Sequence, residues 1–315
     1  MLNILFLGAS KRVSLFENIK HNIQATIKDD VNLYSIELDN KVPIRSCAEI
    51  IIGPIFGYKS FGDFLIDIVK KNKINIIIPC MESAVIVLSQ YKQILSEKFN
   101  CLALVSNYDV VDKFSDKCKM AAIFDENNIN HPKTINQDNF NIYEFPLIAK
   151  PKSGYGAKGQ ILLHNTYDAT RYLLSNDYII QKFISNAVEY SIDCYVSRDN
   201  KIICSVPRKR LEIINGEVSK TQVVKNKKIE AYAKLILSKF NFFGPITIQM
   251  FDSEEDPIVI EINLRFGGGV IASFLAGCKF GEWIYNDYVG NDNFEYNNWD
   301  SDFIMVRANR EFIIK

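Results

Sequence analysis

Over about the first hundred positions, hydrophobic residues recur as short runs separated by longer segments of mixed polarity. Short apolar runs are typical of buried strands, and the mixed segments have the length and spacing of amphipathic helices. Strands that alternate with helical connectors predict a parallel, doubly wound α/β sheet. The predicted strands are residues 4–7, 33–36, 50–52, 74–78 and 101–105, with helices over residues 61–70 and 83–95.

After residue 110 the pattern becomes β-rich and hairpin-spaced, which predicts a mostly antiparallel α+β body. A helix is predicted over residues 112–127, and Asn215-Gly216 marks a tight turn between two strands. A second helix is predicted over residues 227–240. The predicted strands are residues 146–150, 161–163, 178–184, 189–196, 201–206, 211–214, 218–224, 247–252 and 258–264.

Composition narrows the class of protein. The 315 residues include 37 basic and 37 acidic side chains, so no charge excess indicates nucleic acid or an anionic membrane as a partner. The seven cysteines and three histidines are scattered without a metal-binding spacing, and the cysteines are typical of a reducing compartment. No apolar run approaches the ~20 residues of a membrane span, and the first strand is too short for a signal sequence. We therefore expect a cytoplasmic protein.

The most informative segment is the predicted strand over residues 258–264 and the turn after it. Glu261, Asn263 and Arg265 alternate along it, so their side chains leave the same face. Two oxygen ligands and a guanidinium on one face suit Mg²⁺ bound to phosphates, with the arginine clamping a phosphate. Gly267 and Gly268 would permit close approach of the backbone to such a ligand. The alternative is a surface strand with an ordinary polar face.

A loop rich in glycine and lysine lies between two predicted strands, over residues 150–159. Its glycines could present backbone N–H groups to an anion, and its lysines would add charge. The loop lacks the G-K-[ST] ending of a Walker A motif, and a strand follows it. A solvated turn is the alternative. The candidate residues here are Lys150, Lys152, Ser153, Gly154, Gly156 and Lys158.

Four further features could indicate nucleotide or metal binding, but each could also have an ordinary structural role. Lys117 lies on a predicted helix, where a lysine is usually solvated. The strand over residues 178–184 could offer backbone groups to an adenine, although such strands are more often core. Glu189 begins the next strand and could accept from ribose hydroxyls. Gln249 lies on a strand predicted to form a hairpin with the one containing Glu261, which would add a third oxygen unless it is a core amide.

In this order the motifs resemble the ATP-grasp superfamily, and within it the carbamoyl-phosphate-synthase-like proteins, with a single unit. The likeness extends from Gly8-Ala9-Ser10, through Asp116-Lys117 and residues 129–132, to the glycine loop and the strand ending at Asn263. It implies an N-terminal domain over residues 1–110, a small ATP-grasp subdomain with a glycine-rich lid over 111–184, and a subdomain with the metal site over 185–315. Gln181 departs from the glutamate that many relatives have.

The resemblance implies ATP and one or two Mg²⁺ ions as cofactors, with Mn²⁺ as an alternative ion. Gln249, Glu261 and Asn263 would hold the metal, and Arg265 and Lys158 would act on the transferring phosphoryl group. The residues expected to bind the nucleotide are Lys117, Lys150, Lys152, Ser153, Gly154, Gly156, Gln181, Lys182, Phe183, Ile184 and Glu189.

The activity implied is that of a carboxylate–amine ligase that forms an acyl phosphate and releases ADP. Small-molecule carboxylate and amine substrates are the expected partners, and a homodimer is compatible with this class. Arg208 and Arg210 alternate at a strand end and could bind the carboxylate, with Gly267 and Gly268 nearby. A solvated basic edge is their alternative. A carbamoyl-phosphate-type enzyme that activates bicarbonate, or a non-catalytic nucleotide-binding module, would be the other interpretations of the whole chain.

Overall fold

The computed structural model describes residues 1–137, 139–140, 143–153 and 158–314. The N-terminal part contains a five-stranded sheet in which all the strand pairs are parallel, with the order β3-β2-β1-β4-β5. Its elements are β1 (Leu2–Leu7), α1 (Val13–Ile27), β2 (Val31–Glu37), β3 (Glu49–Ile52), α2 (Phe61–Asn72), β4 (Ile76–Pro79), α3 (Glu82–Phe99) and β5 (Leu102–Ala103), with a 3₁₀ helix over Pro43–Ser46. The predicted doubly wound parallel sheet is confirmed.

The strand order reverses between β1 and β4, because the chain adds β2 and β3 on one side of β1 and then crosses to the other. In open parallel sheets, ligands bind outside the carboxyl ends of the strands at this reversal point. The loop after β1 includes Arg12, and the connection after β4 includes Cys80 and Met81. Both segments therefore begin at the edge of the sheet where a ligand is expected.

The predicted single helix over residues 112–127 is wrong. The chain forms two helices, α4 (Tyr108–Ser115) and α5 (Lys117–Glu126), separated by Asp116 in an extended conformation. The Asp116 carboxylate accepts from the backbone N–H groups of Cys118 at 2.7 Å and Lys119 at 3.0 Å. Aspartate favours this N-cap position because it satisfies N–H groups that have no partner within the helix. Lys117 thus becomes the first residue of a helix.

A small four-stranded sheet follows, with the order β6-β9-β7-β8 and antiparallel pairing throughout. Its elements are β6 (Thr134–Ile135), β7 (Leu147–Pro151), β8 (Ile161–Leu163), α6 (Thr166–Leu173) and β9 (Tyr178–Lys182). It has its own apolar core, formed by Ile135, Leu147, Ala149, Leu163, Ala169 and Ile180. The strand predicted over residues 178–184 ends earlier, at Lys182.

The third sheet has six antiparallel strands in the order β14-β13-β10-β11-β12-β15. Its elements are β10 (Glu189–Val196), β11 (Ile202–Ile214), β12 (Glu217–Val223), α7 (Lys227–Ser238), β13 (Gly244–Phe251), β14 (Ile258–Asn263), α8 (Ile271–Leu275), α9 (Phe280–Val289) and β15 (Phe303–Val306). The two strands predicted over residues 201–206 and 211–214 form one strand, with a register shift near Leu211. Helices α6, α8 and α9 and strand β15 were not predicted.

Two large hydrophobic clusters join the parallel sheet to the six-stranded sheet. One contains Ile77 of β4 and Ile192 of β10, and the other contains Phe6 of β1 and Tyr195 of β10. The boundary expected at residues 110/111 falls inside α4, and both clusters contain residues from either side of it. None of the helices in the described ranges is long and apolar enough to cross a membrane.

Candidate functional site

A cavity of about 470 Å³ is lined by the two antiparallel sheets and by the segments that follow β1 and β4 of the parallel sheet. Its volume is within the range of small-molecule sites. Most of the residues predicted from the sequence lie on its wall, namely Lys117, Lys150, Ser153, Lys158, Lys182, Phe183, Ile184, Glu189, Arg208, Arg210, Gln249, Glu261, Asn263, Arg265, Gly267 and Gly268. Lys152 and Gln181 are not on the wall, and Gly154 and Gly156 lie outside the described residues.

The predicted hairpin between β13 and β14 is confirmed, with Gln249 opposite Glu261 and Thr247 opposite Asn263. A register shift follows Gln249, so that Met250 pairs with Val259 and one residue of β14, Ile260, is bulged. Ile260 lines the cavity beside Glu261, while Val259 is fully buried in the core. The bulge therefore places an apolar side chain next to the polar face that the alternation predicted.

The polar side chains of β14 and its neighbours form hydrogen bonds within the protein. Asn263 donates through Nδ2 to Glu261 Oε1 at 2.8 Å, and Arg265 donates through Nη1 to the carbonyl of Phe266 at 3.1 Å. In the amide orientation that satisfies both of its side-chain atoms, Gln249 donates to Glu261 Oε1 at 3.0 Å and accepts from Arg210 at 3.0 Å. The Gln249 oxygen then points toward Arg210, so its use as a metal ligand would require the amide to rotate.

Lys150 reaches the cavity from β7. Its ammonium donates to Gln181 Oε1 at 3.0 Å, and Gln181 donates in turn to the carbonyl of Pro132 at 3.1 Å. Burial lowers the pKa of Lys150, and the charge of Glu261 partly opposes this shift. Gln181 therefore orients a lysine and is not itself on the wall. This role was not predicted from the sequence.

Lys117 is brought to the cavity by the N-cap at Asp116 and by a contact with the glycine-loop strand. Its backbone N–H donates to the carbonyl of Lys152 at 3.0 Å. The end of β7 and the first turn of α5 are thus held together, with Lys117 and Lys150 on the same wall. Lys152 takes part through its backbone.

Arg208 and Arg210 of β11 both line the cavity, and each has a carboxylate partner inside the protein. Arg208 is 1% exposed and donates to both oxygens of Asp193, through Nε at 2.7 Å and Nη2 at 2.9 Å. Arg210 donates to Glu189 Oε1 at 2.5 Å. Burial raises the pKa of Glu189, and the charge of Arg210 opposes this shift. The substrate role expected for these arginines stays a prediction.

The glycines after Arg265 have a packing role. A Cβ on Gly269 would lie 2.6 Å from Nη1 of Arg208, and one on Gly267 would lie 2.8 Å from Oγ1 of Thr247. Either substitution would therefore push against neighbouring side chains. Gly268 has more room, since a Cβ there would meet its nearest atom at 3.9 Å.

Four wall residues come from the connections that follow strands of the N-terminal sheet, and they were not predicted from the sequence. Arg12 follows β1, Cys80 and Met81 follow β4, and Glu82 begins α3. Burial raises the pKa of Glu82, and the charge of Arg265 opposes this shift. The signal that could have found them is their position just after the first and fourth predicted strands, at the carboxyl edge of a parallel sheet.

The donor set on β13 and β14 fits a magnesium ion. The described residues contain no group of three or more acidic, histidine or cysteine side chains able to hold a metal. Mg²⁺ is usually bound by one or two carboxylates, with substrate phosphates and waters completing its octahedron. Glu261 supplies a carboxylate, Asn263 an amide oxygen, and Lys117 and Lys150 the cations that phosphates would need.

Residues 114–269 match the model of a family described as an ATP-grasp domain. This part of the chain is an ATP-grasp domain, which confirms the predicted superfamily. No curated protein matches the sequence.

Solved structures of ATP-grasp ligases have the same fold over nearly the whole chain. The biotin carboxylase domain of 2-oxoglutarate carboxylase from Hydrogenobacter thermophilus, a dimer with MgADP and bicarbonate, is 12% identical, with a TM-score of 0.75 over 96% of this chain and 73% of that one. N5-carboxyaminoimidazole synthetase from Staphylococcus aureus, with ADP, is 18% identical, with a TM-score of 0.73 over 93% and 79%. Biotin carboxylase from Campylobacter jejuni is 15% identical, with a TM-score of 0.76 over 96% and 74%.

Proposed function

We propose that this chain is an ATP-dependent carboxylate–amine ligase that releases ADP and phosphate. The observation that carries the proposal is the convergence on one wall of Lys117 and Lys150 with Glu261, Asn263 and Arg265. Cations for phosphates, hard oxygens for Mg²⁺ and a guanidinium for a transferring phosphoryl group are what this chemistry requires. Structures of the same fold hold ADP, and one of them holds its magnesium salt, which supports the same assignment.

In this proposal the nucleotide lies between the small sheet and the six-stranded sheet. Lys117, Lys150 and Lys158 contact its phosphates, together with the loop that contains Gly154 and Gly156. Phe183 and Ile184, which lie beyond the end of β9 and line the cavity, border the adenine. Glu189 lies nearby and would accept from the ribose hydroxyls, which requires it to share its carboxylate with Arg210.

The reaction needs little covalent participation by the protein. An oxygen of the acid substrate attacks the γ-phosphorus, the bond to the β-phosphate oxygen breaks, and ADP leaves. The amine then attacks the carbonyl carbon of the acyl phosphate, the bond from that carbon to the phosphate oxygen breaks, and the amine nitrogen loses a proton as the amide forms and phosphate leaves. Lys150 and Arg265 hold the transferring group in position and balance its charge, and this positioning supplies most of the acceleration.

Glu261 and Asn263 would hold Mg²⁺, with Gln249 joining them if its amide rotates. When bound, the ion neutralises charge that develops on the phosphate oxygens. The bond between Asn263 Nδ2 and Glu261 Oε1 leaves Asn263 Oδ1 available to the ion apart from a long 3.5 Å contact with Arg265. The hydrogen bonds between these side chains thus pre-arrange the two oxygens.

The test is ADP release from MgATP, screened over a matrix of small carboxylic acids and amines. We expect release that requires one acid and one amine together, and amide product by mass spectrometry. Bicarbonate-dependent release without an added acid would favour the carbamoyl-phosphate type of enzyme. MgADP binding without release in any combination would favour a non-catalytic nucleotide-binding module and overturn the ligase proposal.

A further inference from the structure

Two arginines from different parts of the chain converge on one carbonyl oxygen at the cavity wall. Arg12 donates through Nη2 to the carbonyl of Phe266 at 2.9 Å, and Arg265 donates through Nη1 to the same oxygen at 3.1 Å. Two positive groups held this close repel each other in a site of low dielectric. A negative ligand between them would remove that repulsion.

Each of the two guanidiniums also has one buried nitrogen that makes no hydrogen bond among the described residues. Arg12 Nη1 and Arg265 Nε are shielded from solvent and have no hydrogen-bond partner among the residues that the structure describes. Burial lowers the pKa of Arg12. The neighbouring Cys80 thiol interacts with the Arg12 guanidinium; burial raises the pKa of this thiol, and the charge of Arg12 opposes the shift. Unsatisfied buried donors of charged groups are costly, which is expected where a ligand completes the site.

The other arginines of the wall are less suited to an incoming acid. Arg208 donates hydrogen bonds through two of its nitrogens to Asp193, and Arg210 donates one to Glu189. A substrate carboxylate would have to compete with a carboxylate already in place. Arg12 has no carboxylate partner within hydrogen-bond distance among the described residues.

The position of Arg12 in the fold fits a ligand contact. It follows β1 at the reversal point of the parallel sheet, where ligands of such sheets bind. Its hydrogen bond to Phe266 spans 254 positions and ties this loop to the turn after β14. An anion held by Arg12 and Arg265 would therefore contact both the N-terminal sheet and the ATP-grasp domain.

We propose that Arg12 binds the reacting carboxylate of the acid substrate, together with Arg265, and so holds it beside the γ-phosphate. This inference rests on the proposed ligase function and names the residue that selects its acid substrate. It moves the acid-binding subsite from Arg208 and Arg210 to the loop after β1. A planar guanidinium suits the task because it can donate to both oxygens of a carboxylate.

The test uses acetonylphosphonate, a stable isostere of acetyl phosphate, in which the ketone oxygen stands for the carboxylate oxygen that is not phosphorylated. Calorimetric titration measures its affinity for the wild type, Arg12→Gln and Arg12→Lys, each saturated with MgADP. Arg45→Gln is the matched control, since Arg45 is an exposed arginine of the same sheet region. MgADP affinity and melting temperature are measured first for every protein, which separates the nucleotide site from the acid subsite.

We expect MgADP affinity to be the same in all four proteins. The dissociation constant for acetonylphosphonate should rise about tenfold or more in Arg12→Gln, less in Arg12→Lys, and not at all in the control. Equal affinity in Arg12→Gln and wild type, or no probe binding to the MgADP-saturated wild type, would overturn the assignment of Arg12. Parallel loss of MgADP and probe affinity in both Arg12 variants would also overturn it, in favour of a purely structural role. A wild type that binds no MgADP would instead overturn the ligase proposal, and this inference with it.

Discussion

At the scale of single residues, the cavity wall contains two kinds of charged side chain. Some are neutralised by a partner inside the protein, as Arg208 is by Asp193, with both side chains at most 2% exposed. Others, such as Arg12 and Arg265, donate to a carbonyl and have no carboxylate within hydrogen-bond distance among the described residues, although Glu82 feels the charge of Arg265. A buried pair shapes the wall, whereas a partly buried charge without a directly bonded carboxylate indicates where a ligand would lie.

Truncation of the buried pair should therefore affect stability. Arg208→Ala leaves the Asp193 carboxyl group buried without its arginine partner, with Ser273 as the one remaining side-chain donor among the described residues, so we expect a loss of about 3–5 kcal/mol in the free energy of unfolding. Urea denaturation measures this loss. The double variant Asp193→Ala/Arg208→Ala should lose less than the sum of the single variants. Strict additivity would show that the pair is not coupled.

The metal assignment predicts a different outcome for Glu261. Its replacement by alanine should lower kcat for ADP release about a hundredfold or more. The activation barrier rises because the ion would lose its only carboxylate on β14. Glu254→Ala, in the exposed turn of the same hairpin, should leave kcat unchanged. Steady-state kinetics with circular dichroism as a check of folding decides the matter, and turnover at the wild-type rate in a folded Glu261→Ala protein would refute the assignment.

At the scale of elements, the small sheet differs from the other two. Its core consists of six buried hydrophobic residues among those described, while the other two sheets share much larger clusters. A small core gives a low free energy of local opening. Because β7 contributes Lys150 to the cavity wall, any opening of this sheet would change the contacts available to a nucleotide.

Hydrogen exchange should reveal this difference. Backbone amides of β7 and β9 are expected to exchange faster than those of β10 and β13, and MgADP should slow the exchange of β7 and β9 selectively. Mass spectrometry of proteolytic peptides resolves the four strands. Equal protection of both sheets without nucleotide would contradict the idea of a weakly stabilised small sheet.

At the scale of the whole molecule, the cavity depends on the shared cores. The parallel sheet and the six-stranded sheet pack into common clusters, so Arg12 and Glu261 are held relative to each other by the hydrophobic interior. A hydrogen bond between distant parts of the chain adds to this, because the backbone N–H of Phe243 donates to the Ser106 hydroxyl at 2.9 Å. The geometry of the site is therefore a property of the assembled molecule.

Calorimetry can test this shared core. Ile77→Ala in β4 and Ile192→Ala in β10 should lower the midpoint of the same thermal transition, each by removing about 2–5 kcal/mol. Leu147→Ala in β7 should act mainly on a separate, earlier transition. Leu235→Ala, half exposed on α7, is the control and should change little. Separate transitions for the Ile77 and Ile192 variants would show that the two sheets unfold independently.

Much of the fold and site could be predicted from the sequence because it depends on local spacing. Alternation placed Glu261, Asn263 and Arg265 on one face, and the short connection between β13 and β14 indicated the pairing of Gln249 with Glu261. Short apolar runs with helical connectors predicted the parallel sheet, since both faces of such strands are buried. The predicted helix over residues 112–127 failed at a single residue, where the N-cap preference of Asp116 prevailed over helical periodicity.

The polar groups that β13 and β14 bring to the cavity could be predicted from the sequence, because side-chain direction and hairpin pairing follow from neighbours along the chain. The packing of the sheets settles which charges are already neutralised, as in the pairing of Arg208 with Asp193, and where the bulge at Ile260 falls. It also decided that Arg12 would meet Arg265 at the Phe266 carbonyl, 254 positions away. Such contacts arise from the packing of sheets distant in sequence, and no local pattern of residues encodes them.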